Sequence, residues 1–91
     1  MQRTKAQLDV ARELLTGEPG ARWWGYDLSK RAGVRSGVLY PMLTRMLNDG
    51  LLVDGWEDPA TIREKRPPRR YYQLTDTGRT QLAAFVDGAS K

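Results

Sequence analysis

The chain of 91 residues contains no cysteine and no histidine. Without cysteine it forms no disulfide and offers no thiolate to a metal. Without histidine it lacks the commonest general base and every His-bearing metal or catalytic motif. It also lacks a Gly-rich phosphate loop and a nucleophile set beside a base, so neither an enzymatic role nor a cofactor is expected. No apolar run is long enough to span a membrane. The first stretch, "MQRTKAQLDVARELL", alternates charged and apolar residues and has no signal-peptide core, which points to a cytoplasmic protein. A chain of this length makes one domain, residues 1–91.

What is abundant is positive charge, and it is concentrated. The net charge is +4, from 15 Lys and Arg against 11 Asp and Glu. Residues 63–70, "REKRPPRR", hold five of the basic residues and one acid, leaving ten of each sign elsewhere. All of the net charge therefore sits in one segment, a pattern that suits a polyanionic partner. A solvated basic loop is the structural alternative. A membrane surface is disfavoured because no amphipathic helix adjoins the run.

The apolar spacing gives the elements. "TKAQLDVARELLT" (4–16) reads as a first helix, opened by a capping box of Thr4 and Gln7 and stopped at Gly17, with Leu8, Ala11 and Leu15 on its core side and Leu14 beside them. "RWW" is a short strand, and "YDLSKRA" a short helix ending at Gly33. In the third helix Leu39, Met42, Leu43, Met46 and Leu47 share one face. Gly37, Pro41, Thr44, Arg45 and Asn48 lie opposite, with Val38 at the margin. Pro41 predicts an irregular first turn around residues 36–38. "LLVDGW" follows as a strand with Leu51 and Val53 on one side, and "RYYQL" as its partner. Residues 57–69 between them carry no apolar period, and 62–68 is expected to be a mobile tip. "TDTGRTQLAAFVDGAS" closes the chain as a helix with Thr75 as N-cap.

Two helices joined by "GVRSG", then two strands joined by a basic loop, make a mainly α fold with a small β-hairpin. This is a winged helix-turn-helix: helix, short strand, helix, helix, strand-wing-strand, helix. Such a domain lays its third helix in the major groove and its wing along the backbone or minor groove of double-stranded DNA. The candidate contacts are Arg35, Ser36, Gly37, Val38, Tyr40, Pro41, Thr44 and Arg45 on the third helix. Arg63, Lys65, Arg66, Arg69 and Arg70 are the candidates on the wing. Arg45 is the candidate for a base contact, since an arginine pairs bidentately with guanine. An ordinary surface arginine is the alternative. Trp23, Trp24 and Trp56 are candidates for an aromatic ligand pocket. Plain packing is the alternative for each, and for Trp56 also a cap near Tyr71 at the base of the wing. A winged helix that docks onto a partner regulator or polymerase is the competing function.

The segments "GYDLSKR", "GVLYPML", "RMLNDGLL" and "RRYYQLTDTGR" resemble, in order and spacing, the PadR family of bacterial transcriptional regulators, over residues 23–80. The resemblance implies a winged-helix repressor that binds operator DNA. It also implies a homodimer formed through the C-terminal helix with help from the first. In some members it implies release by a small aromatic or drug-like effector. The family's "LYP" falls on Leu39, Tyr40 and Pro41, offering the Tyr40 hydroxyl to phosphate, and its basic wing falls on residues 66–70. The chain departs from the pattern at Val38, where a hydroxyl residue is usual and Ser36 is the nearest substitute. It departs again in "KRPPRRYY", which lacks the usual glycine, and in a short last helix.

Overall fold

The computed structural model describes residues 4–89. Along the chain run α1 (Lys5–Leu15), β1 (Trp23–Trp24), α2 (Gly25–Ala32), α3 (Ser36–Asn48), β2 (Leu52–Trp56), a 3-10 turn (Pro59–Thr61), β3 (Arg70–Leu74) and α4 (Asp76–Ala89). Ser90, expected at the end of the last helix, lies outside the described residues. The strands form one antiparallel sheet in the order β1-β3-β2. The short "RWW" strand thus joins the hairpin on its β3 edge, placing Trp23 opposite Tyr72 and Trp24 opposite Tyr71.

Local chemistry sets the boundaries. Thr4 and Gln7 form the capping box of α1. Gly33 ends α2 at φ 68°, and the amide of Val34 donates to the Ser29 carbonyl at 3.0 Å. Gly50 does the same after α3 at φ 75°, with Leu51 N–H donating to the Met46 carbonyl at 2.9 Å. Only a residue without a side chain takes this left-handed geometry at little cost. The second of these turns moves the strand pattern by one residue. Leu51 is spent closing the helix and is buried there. The strand alternation starts at Leu52, which pairs with Leu74 and is buried, while Val53 faces out. The expected pairing of Leu51 and Val53 on one side is therefore corrected.

The expected irregular start of α3 is corrected as well. The helix runs from Ser36: the Arg35 carbonyl accepts the α-type bond from Leu39 N–H (2.8 Å) and shares a 3-10-type bond with Val38 N–H (3.0 Å) in the first turn. Pro41 forfeits only the bond to the Gly37 carbonyl, on the exposed side of the helix where water can replace it.

The core joins Val10, Ala11 and Leu14 of α1, Leu28 of α2, Leu39, Leu43 and Met46 of α3, Trp23, Leu51, Leu52, Tyr72, and Leu82 of α4. The buried stripe of α1 thus centres on Val10 and Leu14, with Leu8 and Leu15 at its margins rather than on its axis. Fully burying one such side chain contributes about 1.5–3 kcal/mol, so truncations here are costly.

"LTDTGR" joins α4 to this body. The Thr75 hydroxyl accepts from Gly78 N–H at 2.8 Å and donates to the Gly50 carbonyl at 2.7 Å, so one side chain caps α4 and ties it to the end of α3. A Cβ at Gly78 would lie 1.9 Å from the Leu51 carbonyl oxygen, so only glycine lets α4 approach this closely. Arg79 donates to the Gly17 carbonyl at 3.0 Å, fastening α4 to the loop after α1.

Candidate nucleic-acid interface

One side of α3 is buried in the core and the other is open. Arg35, Ser36, Gly37, Val38, Tyr40, Pro41, Thr44 and Arg45 are all exposed. Thr44 turns its hydroxyl back to the Tyr40 carbonyl at 3.0 Å, while Arg35 and Arg45 form no ion pair among the described residues.

The helix starts differ in a telling way. Side chains cap α1, the 3-10 turn and α4, through Thr4, Asp58 and Thr75. Neither α2 nor α3 has a side-chain cap, since Trp24 and Arg35 stand at those positions without such a bond. A helix N-terminus without a side-chain cap favours an anion.

Tyr40 links the two helices. Its phenol packs on Gly25, where a Cβ would come within 2.3 Å of the hydroxyl oxygen. Beside it opens a hollow of about 340 Å³ lined by Gly25, Tyr26, Asp27, Tyr40, Arg69, Arg70 and Tyr72 together with Trp24. The start of α2, the start of α3 and the root of the wing therefore meet at one place. The sequence pattern did not single out Tyr26, which is 66% exposed with Lys30 over its ring at 4.7 Å. An aromatic residue in a first helical turn with a lysine four places on was the available signal.

The wing is held by carboxylates. Glu57 N–H donates to the Arg69 carbonyl at 3.0 Å, and the Glu57 carboxylate accepts from Arg69 N–H at 2.8 Å. The same carboxylate takes two bonds from the Arg66 guanidinium, at 2.6 and 3.1 Å. The hydrogen bond from Arg66, then that from the Arg69 amide, holds the Glu57 carboxyl down at about 2. Residues 57–69 contain the 3-10 turn Pro59–Thr61 and close on this clamp through Arg66 and Arg69. Asp54 binds Arg70, whose Nε donates at 2.7 Å, and the arginine stacks over Tyr72 at 5.2 Å. Of the five basic residues proposed for the wing, Arg66 and Arg70 are thus engaged within the chain. Arg63, Lys65 and Arg69 make no ion pair among the described residues.

The three tryptophans do not gather into one pocket. Trp23 is buried under the sheet, with Arg31 over its ring at 5.2 Å. Trp24 turns to the other face and meets Tyr71 edge-on at 5.9 Å. Trp56 stands at the far end of β2, opposite Arg70 rather than Tyr71, and is 67% exposed. Trp23 and Trp24 do share the edge of a hollow of about 360 Å³ with Arg22, Asp27 and Arg31. Among the described residues no cluster of acidic side chains could hold a metal, and no helix is long and apolar enough to cross a membrane.

Comparison with known proteins agrees with this geometry. No curated protein matches the sequence. A PadR family transcription regulator from hypervirulent Clostridium difficile superposes with a TM-score of 0.72 at 19% identity, over 93% of this chain and 86% of that one. A PadR family regulator from Eggerthella lenta gives 0.71 at 25% identity, over 94% and 75%. Bacillus subtilis PadR, solved in complex with operator DNA, gives 0.70 at 18% identity, over 94% of this chain but 48% of its own length. The fold is the winged helix of these regulators. The sequence model of the transcriptional regulator PadR-like family matches residues 23–84, about two thirds of the chain, and the chain belongs to that family.

Proposed function

We propose that the protein is a sequence-specific DNA-binding repressor that reads the major groove with α3 and follows the backbone or minor groove with its wing. The observation that carries this reading is the hollow shared by Tyr26, Tyr40 and Arg69. It brings the start of α2, Tyr40 of α3 and Arg69 and Arg70 at the root of the wing onto one surface. Phosphate binds at the free amides of α2 and α3, at the Tyr40 hydroxyl and at Arg69, and Arg45 contacts a base. The operator-bound Bacillus subtilis PadR lends support as a protein of the same fold.

Two copies act together, because a single small module buries little DNA surface and paired half-sites add affinity. Such a regulator works in the cytoplasm, with the DNA. The hollow beside Trp23 and Trp24 is the seat for a planar aromatic effector, where Arg22 and Arg31 suit an acidic substituent. Enrichment of duplexes from a random pool, with footprinting and sedimentation of the complex, tests the reading. A two-fold site and a dimer on it are the expected result. Failure to enrich any sequence, at low salt as well as moderate salt, would instead favour docking onto a partner protein.

A further inference from the structure

Trp56 is the last residue of β2 and leaves 67% of its surface in water. Strand register settles which way it points. Leu52 pairs with Leu74, Asp54 with Tyr72 and Trp56 with Arg70, and partners across an antiparallel ladder share a face. Leu52 and Tyr72 are buried on that face, and Tyr72 and Arg70 line the hollow beside Tyr40. Trp56 therefore continues outward, beyond the helices, the face that α3 covers at its base. Across from it, Arg70 turns its guanidinium away, to Asp54 and over Tyr72. Among the described residues no ring or cation stacks on the indole.

A single exposed apolar residue needs no explanation by itself. This one stands where the wing loop begins. The next residue, Glu57, closes that loop onto Arg69, and the loop carries Arg63 and Lys65, which make no ion pair among the described residues. Such charge draws the wing to phosphates. Once there, an indole matches the minor groove in two ways. Its flat apolar body fits the deoxyribose walls, and its N–H is a donor facing the acceptors that line the groove floor. The guanine amino group projects from that floor, so A·T pairs suit it better.

We propose that Trp56 is a DNA contact, its indole lying in the minor groove beside the base pairs that α3 reads. This rests on the DNA-binding reading above and adds an apolar contribution, independent of salt, at one named residue. The test uses a duplex enriched from a random pool by the protein itself, titrated at several salt concentrations with wild type, Trp56→Ala and Trp56→Phe. The alanine variant is expected to bind about tenfold more weakly at every salt, with an unchanged salt slope. It is also expected to lose the A·T preference flanking the site. Complex formation should change tryptophan emission more in the wild type than in Trp56→Phe, which keeps only Trp23 and Trp24 as reporters. Equal binding by Trp56→Ala, or an emission change in Trp56→Phe as large as that of the wild type, overturns the proposal while leaving the DNA-binding reading intact. Loss of self-association in Trp56→Ala at undiminished DNA affinity overturns it too, by assigning the indole to a second copy. No binding of any duplex by the wild type overturns both.

Discussion

Glu57 holds Arg66 with both carboxylate oxygens, at 2.6 and 3.1 Å, across nine residues of loop. The cation most central to the basic run is therefore the buckle of the wing, and its charge is answered before any partner arrives. The sign of the pH dependence follows. Glu57 is lowered from 4.5 to about 2 on folding, so its contribution is complete above 4.5 and drains away as pH falls toward 2. A carbon-detected NMR titration of the Glu57 carboxyl should show a midpoint near 2, moving up toward 4.5 in Arg66→Ala. A normal carboxylate midpoint in the wild type would show that the clamp does not form in solution.

Asp54 and Arg70 make a second such pair, which separates two neighbouring arginines by function. Arg69→Ala should flatten the slope of log K against log salt by about 0.9, the effect of one phosphate contact. Arg70→Ala should flatten it less, because Asp54 already balances that charge. Asp54→Asn should steepen it by releasing Arg70. Equal slopes for the two alanine variants would contradict the division.

Gly78 should tolerate no side chain. Gly78→Ala drives a methyl into the Leu51 carbonyl and should cost about 1–3 kcal/mol, the range for overpacking. Each kcal/mol lowers Tm by about 4–8 °C in a domain of this size. Calorimetry reads the loss directly, and an unchanged Tm would mean that α4 docks elsewhere.

Thr75 caps α4 through its hydroxyl. Thr75→Ala should cost about 1 kcal/mol and Thr75→Ser much less, since serine keeps the oxygen. Equal losses in denaturant melts would assign the effect to the methyl group.

Much of the fold was legible because its signals are local. The capping box at Thr4, the stop at Gly33, the stripe of Leu39, Leu43 and Met46 and the cap at Thr75 each need only neighbours within a turn or two. Errors arose where two local signals competed. Gly50 claimed Leu51 for the helix end and so moved the strand alternation to Leu52. Pro41 suggested a broken turn, yet only one outward carbonyl loses its donor. For the interface, exposure of the α3 face followed directly from its period. What the sequence hid was pairing at a distance: Glu57 with Arg66, Asp54 with Arg70 and Gly25 with Tyr40. No spacing rule connects residues that meet only once the chain has folded.

The most direct test of the account is guanine N7 methylation interference on a duplex that the protein has itself selected. N7 lies on the major-groove edge that an arginine grips. Methylation at one guanine per half-site should abolish binding by the wild type. Arg45→Ala, weaker by about 1–3 kcal/mol, should bind methylated and unmethylated duplex alike. Binding that ignores methylation at every guanine, or an Arg45→Ala variant as sensitive as the wild type, would contradict the placement of α3 in the major groove with Arg45 on a base.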